Sequence, residues 1–174
     1  MRGPLVRIRV YTPQQPAAMA AVLDDFVTAH ATSPAAAKLS QAEVRAMFMN
    51  LVGCASLIYV EEALYGYVAV VPVAGQDPAQ VMELHGGLCA DVLDGPRRLP
   101  QGFRGRLHWA IQQQVFSHLF EAGGLTALEM EVPPGHKGVR GLAISWGFTP
   151  FDATRPHRRR LARQTFEARC QRHE

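Results

Sequence analysis

Lysine is almost absent from this chain: Lys38 and Lys137 are the only two among 18 Lys and Arg residues, so arginine carries the positive charge. Cysteine is scarce too. Cys54, Cys89 and Cys170 are odd in number and widely spaced, which excludes a disulfide framework and a metal knuckle. They read as buried thiols, Cys54 most clearly because a strand pattern follows it. The seven histidines form no metal-ligand cluster. No apolar run is long enough to span a membrane. The first ten residues, MRGPLVRIRV, lack the apolar core of a signal peptide, so the expectation is an intracellular, cytoplasmic protein. Charged residues make up only 19% against 48% hydrophobic, which excludes a disordered chain. At 174 residues there is room for one domain with a sizeable core.

The positive charge that is present is unevenly placed. Arg155, Arg158, Arg159, Arg160, Arg163, Arg169 and Arg172 all follow Asp152, opposed there by only Glu167 and Glu174. Such a segment can bind nucleic acid, an acidic partner or a phosphate-bearing ligand. It can equally be a solvated face or an oligomer contact, and the lack of interleaved aromatics favours that plainer reading.

Hydrophobic periodicity supplies the elements. Val6 to Thr12 alternates as a strand, broken by Pro13 and Pro16. Met19, Val22, Leu23, Phe26 and Val27 make one apolar stripe, predicting a helix over 17–29, with a loop over 31–39. Ser40 followed by Glu43 is a capping box, opening a helix to about Asn50. Ser56 to Glu61 and Leu64 to Val73 read as a hairpin around Glu62-Ala63. Val81 to Leu88 is a fourth strand, and Asp94 to Gly105, rich in Gly, Pro and Arg, reads as a functional loop. Arg106 to Glu121 is the strongest helix, stopped by Gly123-Gly124.

The stretch Leu125 to Phe151, LTALEMEVPPGHKGVRGLAISWGFTPF, orders a strand, a Pro-Gly turn, a short helix, a Gly stop at Gly147 and a further extended segment from Phe148. After it, residues 153–174 read as a last strand near Arg163 to Glu167 or a basic helix. This order, ending in Gly-Phe, resembles the C-terminal half of the GNAT superfamily of N-acetyltransferases. The order of elements matches over about Val6 to Phe151. The segments ELHGG, FRGRLHWA and VPPGHKG look like GNAT-like proteins encoded by phages and prophages. The resemblance implies an α/β fold with a mixed, twisted sheet of six to seven strands and helices on both faces. It divides the chain into a GNAT-like acyl-CoA-binding domain, 1–152, and a basic C-terminal strand or tail, 153–174.

The resemblance also implies acetyl-CoA, or another acyl-CoA, as cofactor. Pyrophosphate needs approachable backbone N–H groups at a helix N-terminus and benefits from forked arginine donors. Gln101, Gly102, Phe103, Arg104, Gly105 and Arg106 stand where the family places that loop. The family pattern is Gln or Arg, two residues, Gly, one residue, then Gly or Ala. This sequence departs from it in either register, since Leu107 or Arg104 falls where a small residue belongs. Backbone over Leu88, Cys89 and Ala90 would pair with the pantetheine arm.

Acyl transfer to an amine requires a base for the amine and a proton for the thiolate. In this family the base often sits on the fourth strand, where Glu83 and His85 lie two apart and share a face. Either is the candidate base. The family's acid, a tyrosine four residues before the Gly of Gly-Phe, is replaced by Ala143. His136 follows Gly135 where the family often carries a cofactor-contacting asparagine, and is the candidate donor. The expected activity is N-acyl transfer to a small-molecule or protein amine. The alternative is a catalytically inactive GNAT-like binding or assembly module, with a homo-oligomer or assembly partner. Nucleic acid binding through the arginine segment is a third reading.

Overall fold

The computed structural model describes residues 5–12, 14–32, 40–50, 54–88 and 101–172. Seven strands form one hydrogen-bonded sheet: β1 Val6–Tyr11, β2 Ala55–Val60, β3 Ala63–Pro72, β4 Val81–Leu88, β5 Ala127–Glu131, β6 Thr149–Pro150 and β7 Arg158–Ala162. Their order is β1-β2-β3-β4-β5-β7-β6. The sheet is mixed: β4 and β5 run parallel, whereas β1–β2, β2–β3, β5–β7 and β6–β7 are antiparallel. Among the described residues six helices accompany it: α1 Pro16–Ala21, α2 Leu23–Thr32, α3 Gln41–Met49, α4 Gln101–Ile111, α5 Lys137–Ser145 and α6 Arg163–Cys170. The expected α/β class and mixed sheet are what the structure shows.

The chain divides into two compact units. One takes in Met1–Val70 and His85–Val115, the other Val71–Leu84 and Phe116–Glu174. In the first, β2 is buried at all six positions, so its sequence ASLIYV does not alternate. Its aromatic core sets Phe26 4.4 Å from Phe48, and Phe48 edge-on to Tyr67 at 5.6 Å. In the second, Phe116 packs edge-on against Trp146, Phe148 and Phe166. Leu128 of β5 and Leu161 of β7 are fully buried there.

Several boundaries move from the sequence reading, each for a local reason. The helix over 17–29 is two helices broken at Val22, whose N–H bonds back only three residues to Met19. Asp24 and Asp25 mark the new N-terminus at α2, where acidic groups meet the helix dipole. Pro16 starts α1 at its first position, where no N–H is needed. Ala31 and Thr32 extend α2, and the rest of the loop over 31–39 lies outside the described residues. The capping box is present: Ser40 Oγ accepts the Glu43 N–H at 3.3 Å, and Glu43 reaches back to the Ser40 N–H at 2.7 Å.

The hairpin turns one residue earlier than Glu62-Ala63. Its central residues are Glu61 and Glu62, both left-handed, with φ of 49° and 66°. That is the backbone of a type I′ turn, made here without glycine or asparagine. Both glutamates reach β1: Glu61 exchanges bonds with the Leu5 backbone, and Glu62 pairs with Arg7. The strongest helix begins at Gln101, five residues before Arg106, and widens into π-type turns over Gln112–Phe116 and His118–Ala122. Gly123 caps it and Gly124 turns left-handed, φ 67°, as the glycine pair suggests. The last strand lies at Arg158–Ala162, ahead of Arg163 to Glu167, and the residues after it form α6. The strand from Phe148 is reduced to Thr149–Pro150.

Candidate functional site

Glu83 lies near the middle of β4 and its carboxylate is not bare. Arg158 Nη1 donates to Glu83 Oε2 at 2.5 Å, with 15% of the arginine side chain and 13% of the glutamate side chain exposed. The register explains the contact. Glu83 pairs with Glu129 in the parallel ladder, and Glu129 faces Arg160 in the antiparallel one. Arg158 lies two residues from Arg160, hence on the same face of β7.

Two like charges side by side would repel, so the arginines bind both. Arg158 Nη2 donates to Glu129 at 2.8 Å, and Arg160 donates to its other oxygen from Nε and Nη2 at 3.1 and 2.5 Å. Glu129 is fully buried. Burial alone would raise its carboxyl pKa, but the bonds from Arg158 and Arg160 outweigh burial and hold it below the ordinary value. Arg160 also lies 4.2 Å from the centre of the Phe151 ring. This row was not anticipated from the sequence. The signal was there, in a glutamate set between Leu128 and Met130 and an arginine triplet on a strand.

His85 is exposed, two residues further along β4. His136 is the N-cap of α5: its Nδ1 accepts the Val139 N–H at 3.3 Å. That bond uses Nδ1 as an acceptor and leaves Nε2 as the donor. Ala143 is fully buried, and its carbonyl accepts the Phe148 N–H, so the position belongs to the core. Ser145 Oγ donates to the Leu142 carbonyl, and Trp146 is buried.

Gln101 to Arg106 is not a loop. These residues form the first turns of α4, with Phe103 buried and the Arg106 guanidinium 5.4 Å from the centre of the Phe103 ring. A helix N-terminus remains a suitable place for phosphate. A Cβ at Gly102 or Gly105 would meet nothing within 4 Å. Burial, with Arg104 adding repulsion, pulls the His108 pKa down one turn further on. Leu88 closes β4, while Cys89, Ala90 and residues 94–100 lie outside the described residues. Cys54 is buried, and burial pushes its thiol up to about 12, consistent with an inert core position. Among the described residues no group of His, Cys, Asp and Glu could hold a metal ion, and no helix is long and apolar enough to cross a membrane.

The arginine segment is largely occupied within the protein. Besides Arg158 and Arg160, Arg155 pairs with Asp152 and Arg163 with Glu167. Arg169 donates to the Ser145 carbonyl at 2.6 Å, and its side chain lies over Gly147. Arg159 points elsewhere. With Lys137, Arg140, His136 and His157, it lines a cavity of about 470 Å³ beside the Val132–Gly135 turn.

No family model and no curated protein matches the chain. Solved structures do. The aminoglycoside acetyltransferase AAC(6')-Ib in complex with coenzyme A and kanamycin aligns over 94% of this chain and 98% of its own, at 16% identity and a TM-score of 0.59. A variant of the spermidine N-acetyltransferase SpeG from Vibrio cholerae aligns over 95% and 98%, at 11% identity and 0.58. A GNAT-family acetyltransferase from Bacillus anthracis aligns over 94% and 98%, at 12% identity and 0.55. At such identities the likeness is one of fold. The parallel β4–β5 pair within a mixed seven-stranded sheet, matched over nearly the whole length of each of these chains, gives this protein the GNAT acetyltransferase fold.

Proposed function

We propose that the protein is an acyl-CoA-dependent N-acyltransferase, with acetyl-CoA as the default donor and a small-molecule or protein amine as acceptor. The observation that carries this reading is the end-to-end fold likeness to an acetyltransferase solved with coenzyme A. The N-terminus of α4, from Gln101 to Arg106, supplies backbone N–H groups and two arginines for the pyrophosphate. Backbone over Leu88, Cys89 and Ala90 carries the pantetheine arm. Of the two candidate bases, Glu83 is committed to Arg158, so a proton-accepting role there requires the ion pair to open. His85, exposed on the same strand, is the other candidate. His136 Nε2 is the donor for the departing thiolate. The cytoplasm is the compartment proposed.

The test is calorimetric titration of the purified protein with acetyl-CoA. Micromolar binding that is lost in the double variant Arg104→Ala plus Arg106→Ala supports the cofactor assignment. An amine screen would then show activity abolished by whichever of His85→Ala and Glu83→Gln removes the base. No binding at millimolar acetyl-CoA sinks the proposal.

One observation favours a second reading, a GNAT fold kept as a binding or assembly module like those of phages. The tyrosine position is a buried alanine, and its neighbours Ser145 and Trp146 are engaged or buried. Light scattering for self-association, beside the same titration, separates the two readings. Nucleic acid binding through 153–174 is disfavoured, because five of its arginines already bond within the protein.

A further inference from the structure

The Val132–Gly135 turn, the start of α5 and the residues entering β7 line an open cleft of about 470 Å³. Its charged lining has one sign. Lys137, Arg140 and Arg159 contribute cations and His136 and His157 imidazoles, and among the described residues no carboxylate lines it. Of the acids nearby in sequence, Asp152 is taken by Arg155 and Glu129 by Arg158 and Arg160, while Glu131, next to the lining Val132, lies two residues from Glu129 and so on the face of β5 opposite to Arg159. Among the described residues, no side-chain hydrogen bond or ion pair engages Lys137, Arg140, His157 or Arg159.

Cations of like sign gathered in a concave site repel one another, and a folded protein normally pairs or disperses them. An anion entering the cavity would reverse that repulsion and give the arginines the forked acceptor they lack. Pro133, Pro134 and Pro156 hold the walls in shape and offer apolar surface to the body of a ligand. The volume is that of a small-molecule site, and is too large for a bare inorganic ion. The first N–H groups of α5 add partial positive charge beside the side chains.

We propose that this cavity binds a small organic molecule through a phosphate or diphosphate group, with Arg159 and Arg140 as the principal contacts. The inference stands whether or not the protein transfers acyl groups. The anionic group could belong to a coenzyme or to a separate phosphorylated ligand, and the chemistry of recognition is the same.

Inorganic pyrophosphate is the first probe, titrated into the full chain at low salt. Saturable binding that weakens as salt rises is expected. Arg140→Gln plus Arg159→Gln should weaken it about tenfold or more, the loss expected for charge-assisted contacts. Arg155→Gln plus Arg163→Gln removes the same net charge elsewhere and should leave it unchanged. Circular dichroism of each variant confirms that it folds. Displacement of pyrophosphate by coenzyme A but not by dephospho-coenzyme A assigns the cavity to the coenzyme's 3′-phosphate, and displacement by both assigns it to the diphosphate they share. Persistence of pyrophosphate binding beside saturating coenzyme A assigns it to a second ligand. No binding at millimolar pyrophosphate, or equal loss in both double variants, overturns the proposal. So does duplex DNA that binds far more tightly with the same dependence on Arg140 and Arg159. Because Arg104 and Arg106 are untouched here, failure of this test leaves the acetyl-CoA titration unaffected.

Discussion

Arg158, Arg159 and Arg160 are consecutive on one strand, yet they live in two chemistries. The outer two meet Glu83 and Glu129 across β4 and β5, where 15% and 31% of their side chains are exposed. The middle one, on the opposite face, borders a cleft with no acid among its described lining residues. Strand alternation alone creates the contrast. Net charge on a segment therefore says little about what the segment binds. What matters is which arginines the fold has already neutralised.

The sharpest way to break the comparison is to remove the shared carboxylate. Glu129→Ala strands two arginines at a buried site and is expected to cost about 3–5 kcal/mol in urea unfolding. A variant as stable as the parent would show that the row holds nothing. The same carboxylate predicts an acid limit. Its folded pKa lies below the ordinary 4.5, so its contribution is complete above that value and is lost as pH falls through the lower folded value. Thermal melts should fall below about pH 4.5 in the parent, and less steeply in Glu129→Ala.

Arg169 provides an intermediate case, satisfied by a carbonyl in place of a carboxylate. Gly147 beneath it has φ 87°, and a Cβ there would sit 2.9 Å from Arg169 Cδ. Gly147→Ala should cost about 1–2 kcal/mol by strain, with part of the cost coming from displaced Arg169. Arg163→Ala, at an exposed pair one helical turn apart, should cost only about 0.3–0.5 kcal/mol. Arg159→Gln should change stability least, within about 0.5 kcal/mol, while carrying the largest effect on anion binding. A large loss of stability there would place Arg159 with its neighbours and erase the distinction.

The sequence revealed most where the cause is local. Ser40 and Glu43 announce their capping box because both partners lie within one turn, and β4 is readable as Val81–Leu88 from its own residues. It misled where a residue's role depends on a distant partner. The arginine segment reads as a tail because Glu83 is 75 residues from Arg158 in sequence. The glycines of 101–106 suggest a loop, but Phe103 and Leu107 are buried on α4 and draw the helix past them. Of the candidate site, His136 was placed at its turn by local pattern, whereas the ion pair on Glu83 required the register of three strands.

The two left-handed glutamates at the β2–β3 turn bear on the order in which the chain assembles. Asparagine and glycine would make that turn more easily, since a left-handed backbone costs about 1–2 kcal/mol for each ordinary residue. Glu61 and Glu62 instead tie down β1, across 56 and 55 residues of sequence. A slow turn and a distant tether thus share the same two side chains. Glu61→Asn plus Glu62→Gly should accelerate the folding limb of the chevron and hasten hydrogen exchange at the start of β1. The β2–β3 turn is thus costlier than it could be, and in return the same two residues fasten the first strand.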